Sequence, residues 1–147
     1  MKRLAIVFLL EIAVLACCFS QNDQRPINAI PEYGHQNKTE YQLQADEEFL
    51  NSVKGREDKA YIALIDEGWW FLKQGDTSTA VMRFNQAWLI NQSRWEVYWS
   101  FAVAERSISN MKSARKYYLK AINLCRDTQY KDMLKQEYSD FIKKIED

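Results

Sequence analysis

Glycine and proline are scarce in this 147-residue chain, at four and two, and histidine occurs once. So few turn formers suit long helices and disfavour many-stranded all-β architectures, which need a turn signal about every 8–12 residues. Cysteine is equally sparse: Cys17 and Cys18 lie close to the N-terminus and only Cys125 falls in the region with a folding pattern. No intradomain disulfide framework is available, so packing must hold the fold. Neither sign of charge is in excess, with 20 Lys and Arg against 20 Asp and Glu. That balance lacks the electrostatic footprint of phosphate-backbone binding, so nucleic acid is not expected as a partner, and no basic patch for anionic lipid is expected either. There is no phosphate-cradling glycine loop or strand-based nucleotide motif, hence no expected cofactor. What the chain does have is 47% apolar and 14% aromatic residues, including five Trp and eight Tyr, enough to bury a compact core.

The N-terminus reads as a leader, residues 1–16. Lys2 and Arg3 supply a positive start and Leu4 to Ala16 an apolar run of signal-peptide length, far short of the ~20 residues of a membrane span, with Glu11 as an interruption. The leader ends in Val14-Leu15-Ala16-Cys17, which resembles the lipobox of bacterial lipoproteins; the resemblance implies that Cys17 carries lipid and becomes the new N-terminus. Ordinary cleavage near Ser20-Gln21, giving a soluble periplasmic or secreted protein, is the alternative. Lipidation at Cys17, with Cys18 where an inner-membrane retention signal would have aspartate, implies the outer membrane. Removing residues 1–16 takes away Lys2, Arg3 and Glu11 and leaves 18 basic and 19 acidic side chains.

Residues 17–38 hold both prolines, one glycine and many amides without apolar period, the composition of a flexible linker. From Thr39 the pattern is helical to the end. Tyr41, Ala45, Phe49, Leu50 and Val53 recur at spacings of three and four, and Gly55 closes that helix. A second helix carries Ala60, Ala63, Leu64, Trp70 and Phe71 and stops at Gly75-Asp76-Thr77. Then a period emerges. Ala80, Phe84, Ala87 and Ile90 recur as Ala114, Tyr118, Ala121 and Leu124, each displaced by 34 residues.

These residues resemble the tetratricopeptide repeat family. The first unit, about 61–94, places Leu64, Glu67, Gly68, Phe71, Ala80, Phe84 and Ala87 in its slots, with Gly75-Asp76 at the turn. The second, about 95–128, places Tyr98, Phe101, Ala102, Glu105, Ala114, Tyr118 and Ala121, with Ser109-Asn110 at the turn and Asn as the left-handed residue. Both units lack the closing proline, carrying Gln92 and Arg126, and Glu105 stands where the first unit has the aromatic Phe71. The resemblance covers about half the chain. It implies an all-α fold: a short right-handed array of helical hairpins, an α-solenoid, over 39–147, with capping helices at about 41–54 and 129–146. The last of these presents Tyr130, Met133, Leu134, Tyr138, Phe141, Ile142 and Ile145 on one face.

No constellation of residues assembles an active site. His35 lies in the linker and Cys125 some ninety positions away, with no second histidine for a metal or a Cys-His pair. The carboxylates of Asp46-Glu47-Glu48 and Asp66-Glu67 read as solvated helix faces. Five Trp exceed what the repeat positions use. The resemblance places Ile65, Trp69, Leu72 and Lys73 beside Trp99, Val103 and Arg106 on the inner face, a groove in which Trp anchors bury a peptide or protein partner and cations read a carboxylate. Trp69 and Trp99 packing against the flanking helices is the other reading. The expected function is therefore a non-enzymatic adaptor of the cell envelope, with a structural subunit or homo-oligomer as the alternative.

Overall fold

The computed structural model describes residues 23–146, so Cys17 and the leader lie outside the described residues. Those residues form an all-α protein. The six α-helices are α1 (Glu40–Val53), α2 (Glu57–Lys73), α3 (Thr77–Ile90), α4 (Trp95–Ser107), α5 (Met111–Leu124) and α6 (Thr128–Glu146). Two short 3-10 turns, Ile27–Ala29 and Pro31–His35, precede them.

Helices α2 and α3 pack as one hairpin and α4 and α5 as another, joined through α3 against α4. The 34-residue displacement extends from side chains to backbone hydrogen bonds. At the end of α2, Gly75 N–H donates to Leu72 and Asp76 N–H to Phe71; at the end of α4, Ser109 donates to Arg106 and Asn110 to Glu105. This pairing satisfies the last carbonyls of a helix while reversing the chain. Asp76 then caps α3 by accepting from Thr79 N–H, and Asn110 caps α5 by accepting from Ser113 N–H. Here the structure corrects the expected turn: Ser109, not Asn110, takes the left-handed position, at φ 61° against 83° for Gly75. Asn is the better N-cap, since its side-chain oxygen reaches the free amides of the first helical turn, and that requirement places Ser one residue earlier.

Between these turns the small residues let the helices close. Ala80, Phe84 and Ala87 are fully buried, as are Ala114, Tyr118 and Ala121. Gly68 lies directly under the Phe84 ring, where an added Cβ would stand 2.2 Å from a ring carbon. In the second hairpin Ala102 replaces this glycine.

The ends are covered more thinly than the periodicity suggests. Thr39 and Gln42 form a reciprocal capping box at the start of α1, yet Val53 is the one buried side chain on that helix and Tyr41 is 80% exposed. In α6, Leu134 and Phe141 are buried, whereas Tyr130, Met133 and Ile145 are exposed. That helix packs mainly on α5, so half of its apolar stripe overhangs its neighbour.

The expected linker differs most. Residues 25–36 lie docked on the hairpins, with Ala29, Ile30, Pro31 and Glu32 buried. Composition indicated a tether because the contacts that fix this segment come from far along the chain. Asn85 Nδ2 donates to the carbonyls of Asn28 and Ile30, each at 2.9 Å, and Arg25 reaches Glu105 at 2.7 Å.

Candidate functional site

Two surfaces carry chemistry: the aromatic seam on α2, α4 and α6, and the face that holds the N-terminal segment. The seam begins with Trp69 and Trp99, one from each hairpin, with ring centroids 4.9 Å apart. Trp95 continues it at 6.2 Å from Trp99, and Tyr130 of α6 follows at 5.4 Å. All three Trp are half-buried, so the seam is in part core and in part surface. Ile65, Leu72 and Val103 flank it, half-buried, and Lys73 is exposed at its edge. Trp70, which the groove reading leaves out, is 58% exposed and packs edge-on against Phe71 at 4.9 Å.

The second unit's half of the expected groove is occupied from within. Glu137 of α6 accepts from Trp99 Nε1 at 2.9 Å, from Tyr118 Oη at 2.7 Å and from Arg106 at 3.3 Å. Arg106, expected to read a partner's carboxylate, thus holds one supplied by the chain itself. Burial, together with the nearby Glu137 carboxylate, pushes the Tyr118 phenol well above its ordinary value, so it stays a donor.

The docking face of residues 23–36 was not legible from composition. Glu105 is 0% exposed, and its carboxylate takes Arg25 at 2.7 and 3.2 Å and Asn110 Nδ2 at 2.6 Å. Arg25 is simultaneously bonded to Asp23, whose carboxylate, followed by Glu105, raises the guanidinium's affinity for its proton against the effect of burial. A few residues on, Glu32 is buried against Lys120 at 2.5 Å, Tyr117 Oη at 3.0 Å and His35 Nε2 at 3.0 Å. Burial, the largest single influence, would raise the Glu32 carboxyl, but Lys120, Tyr117 and His35 together outweigh it and the net displacement is downward. The backbone here is unusual: Glu32, Tyr33, Gly34 and His35 all have φ between 52° and 63°, a left-handed turn that L-residues adopt at a cost of roughly 1–2 kcal/mol each. The bonds of Glu32 fix that turn in place. The signal for this face was present in the sequence as Glu105, a carboxylate in a slot that the first unit fills with Phe71.

Comparison with family models, with curated proteins and with solved structures returns no match for this chain. No described helix is long and apolar enough to cross a membrane.

Proposed function

We propose that the chain is an exported, lipid-anchored, non-enzymatic adaptor of the bacterial envelope, anchored through Cys17, which holds a peptide or protein partner against the aromatic seam at Trp69 and Trp99. The scaffold in this reading is a tetratricopeptide-like hairpin array. The recurrence of the same core positions, turn hydrogen bonds and helix caps at a displacement of 34 residues supports it. Support for binding comes from Glu137, because the seam already receives a helix there through an indole N–H, a phenol and a guanidinium. A partner helix or extended segment would use the first hairpin's share: Ile65, Trp69, Leu72, Lys73 and the exposed Trp70.

The test is a crosslinked pull-down from native envelope with the intact protein, with Trp69→Ala/Trp99→Ala and with Trp70→Ala, each variant checked for folding by circular dichroism. A partner captured by the intact protein and lost from the folded variants supports the adaptor. Identical captures from all three sink it. Retention of Cys17→Ser in the membrane fraction at the level of the parent would remove the anchor from the reading.

A structural-subunit reading has its own support in the exposed Leu43 and Leu50, which fall on one face of α1 at the end of the array, where a second copy could continue it. A mass that rises with concentration and reverts in Leu43→Glu/Leu50→Glu distinguishes it.

A further inference from the structure

The balanced total charge conceals a one-sided element. From Arg106 to Arg126 the sequence holds six cationic side chains and no carboxylate. Four of them, Lys112, Arg115, Lys116 and Lys120, lie on α5. The inward face of that helix is Ala114, Tyr117, Tyr118 and Ala121, all buried. Lys112, Arg115 and Leu119 fall together on the opposite side, and all three are exposed. Among the described residues Lys112 and Arg115 form no ion pair, whereas Lys116 and Lys120 share the buried Glu32. Apolar groups sit among these cations in water: Leu119 is 42% exposed, Ile108 41% and Met111 37%.

We infer that this outer face of α5 rests on an anionic lipid surface. Cations alone would fit an acidic protein as well. The interspersed Leu119, Met111 and Ile108 favour the bilayer, where lysine and arginine meet lipid phosphates while short apolar side chains enter the interfacial zone between them. The course of the N-terminal segment points the same way. Arg25 is bonded to Glu105, which also holds Asn110, the residue immediately before α5. The chain therefore reaches the hairpins beside the first turn of the cationic face. If the anchor proposed above is correct, the eight residues from Cys17 to Arg25 span at most about 27 Å and keep this end of α5 near the membrane. The charge and exposure of the face do not depend on that anchor, and the test dispenses with it.

The full chain carrying Cys17→Ser, so that no lipid is attached, is sedimented with vesicles of phosphatidylcholine alone and of phosphatidylcholine with phosphatidylglycerol. The leader, with Lys2 and Arg3, contributes to both partition coefficients and to their ratio, so the drop in that ratio from the parent to Lys112→Gln/Arg115→Gln reads the cationic face. A ratio well above one that falls with added salt is expected. Each neutralised cation should lower partitioning to the anionic vesicles about fivefold, so Lys112→Gln/Arg115→Gln should lose roughly 25-fold while leaving the neutral vesicles unaffected. Leu119→Ser, an exposed position, should weaken anionic binding without altering its salt dependence. A ratio near one, or equal ratios for parent and Lys112→Gln/Arg115→Gln with both folded by circular dichroism, overturns the inference. Binding of polyglutamate that depends on Lys112 and Arg115, with no preference for the anionic vesicles, also overturns it and assigns the face to an acidic protein. Because Cys17 is absent throughout, neither outcome bears on the anchor or on the seam at Trp69.

Discussion

The second helices of the two hairpins, α3 and α5, share a template and differ in what covers them. Val81 and Asn85 of α3 are fully buried, and the positions 34 residues later, Arg115 and Leu119 of α5, are exposed. On α3 the N-terminal segment lies across the helix and Asn85 binds two of its carbonyls. On α5 that segment reaches only one flank, through Tyr117 and Lys120, and leaves the other open. A repeat pattern therefore specifies the contact inside a hairpin, while the outer surface is free to diverge. The outer face of α3 uses that freedom to bind its own chain, while α5 does so along one flank and carries unpaired charge on the other.

The comparison breaks most severely if the N-terminal segment is detached. Arg25→Ala strips the Glu105 carboxylate, buried in the parent, of its cation and leaves Asn110 as its remaining partner, and removing one member of a buried pair costs up to about 3–5 kcal/mol. Urea denaturation at neutral pH should show that loss. Adding Glu105→Gln should recover part of it, because the stranded charge is then gone. An Arg25→Ala variant within roughly 0.5 kcal/mol of the parent, the spread of an ordinary surface substitution, would mean that the segment is not integral to the fold.

A smaller effect should appear on acidification. The Glu32 carboxyl lies below its ordinary value of 4.5 in the folded protein, so it binds protons less readily folded than unfolded. Its contribution is accordingly complete above pH 4.5 and is lost as the pH falls through the lower folded value. Denaturation midpoints measured on either side of that window should differ more for the parent than for Glu32→Gln. Equal pH dependence in the two proteins would assign the acid sensitivity to other carboxylates.

The all-helical character and the two hairpin cores were legible because they rest on short-range information. Ala80, Phe84 and Ala87 announce a close-packed helix pair through spacing alone, and their recurrence as Ala114, Tyr118 and Ala121 repeats the statement. The docked segment was illegible because its order depends on partners 55 or more positions away, such as Asn85 for Ile30 and Glu105 for Arg25. Two clues were readable all the same: a carboxylate at a repeat position that should be apolar, and a stretch after Arg106 with no acid to balance its cations. Net charge hid the second, since a whole-chain sum cannot report how charge is divided between elements. Of the expected groove, Trp69 and Trp99 meet as neighbouring rings, but no inspection of α4 alone could reveal that Glu137 would claim Arg106.

The finest difference between the hairpins lies in their turns and gives the gentlest test. Gly75 adopts φ 83° with no neighbour within 4 Å of a would-be Cβ, so conformation alone favours glycine there. Ser109 holds the equivalent place at φ 61° and carries the penalty of an L-residue in the left-handed region, roughly 1 kcal/mol. The hydrogen bonds around both residues are the same, from Ser109 N–H to Arg106 and from Gly75 N–H to Leu72, so replacing serine by glycine alters strain and not bonding. Ser109→Gly should then stabilise the protein by up to about 1 kcal/mol, less whatever the added freedom of glycine gives the unfolded chain, and Gly75→Ser should destabilise it by a similar amount. Thermal denaturation of the two variants, together with the double exchange, reads the comparison directly. If the two turns are mechanically equivalent, the exchange is nearly neutral; if Ser109→Gly destabilises, the serine hydroxyl or its neighbours hold the second turn in a way the first does not need.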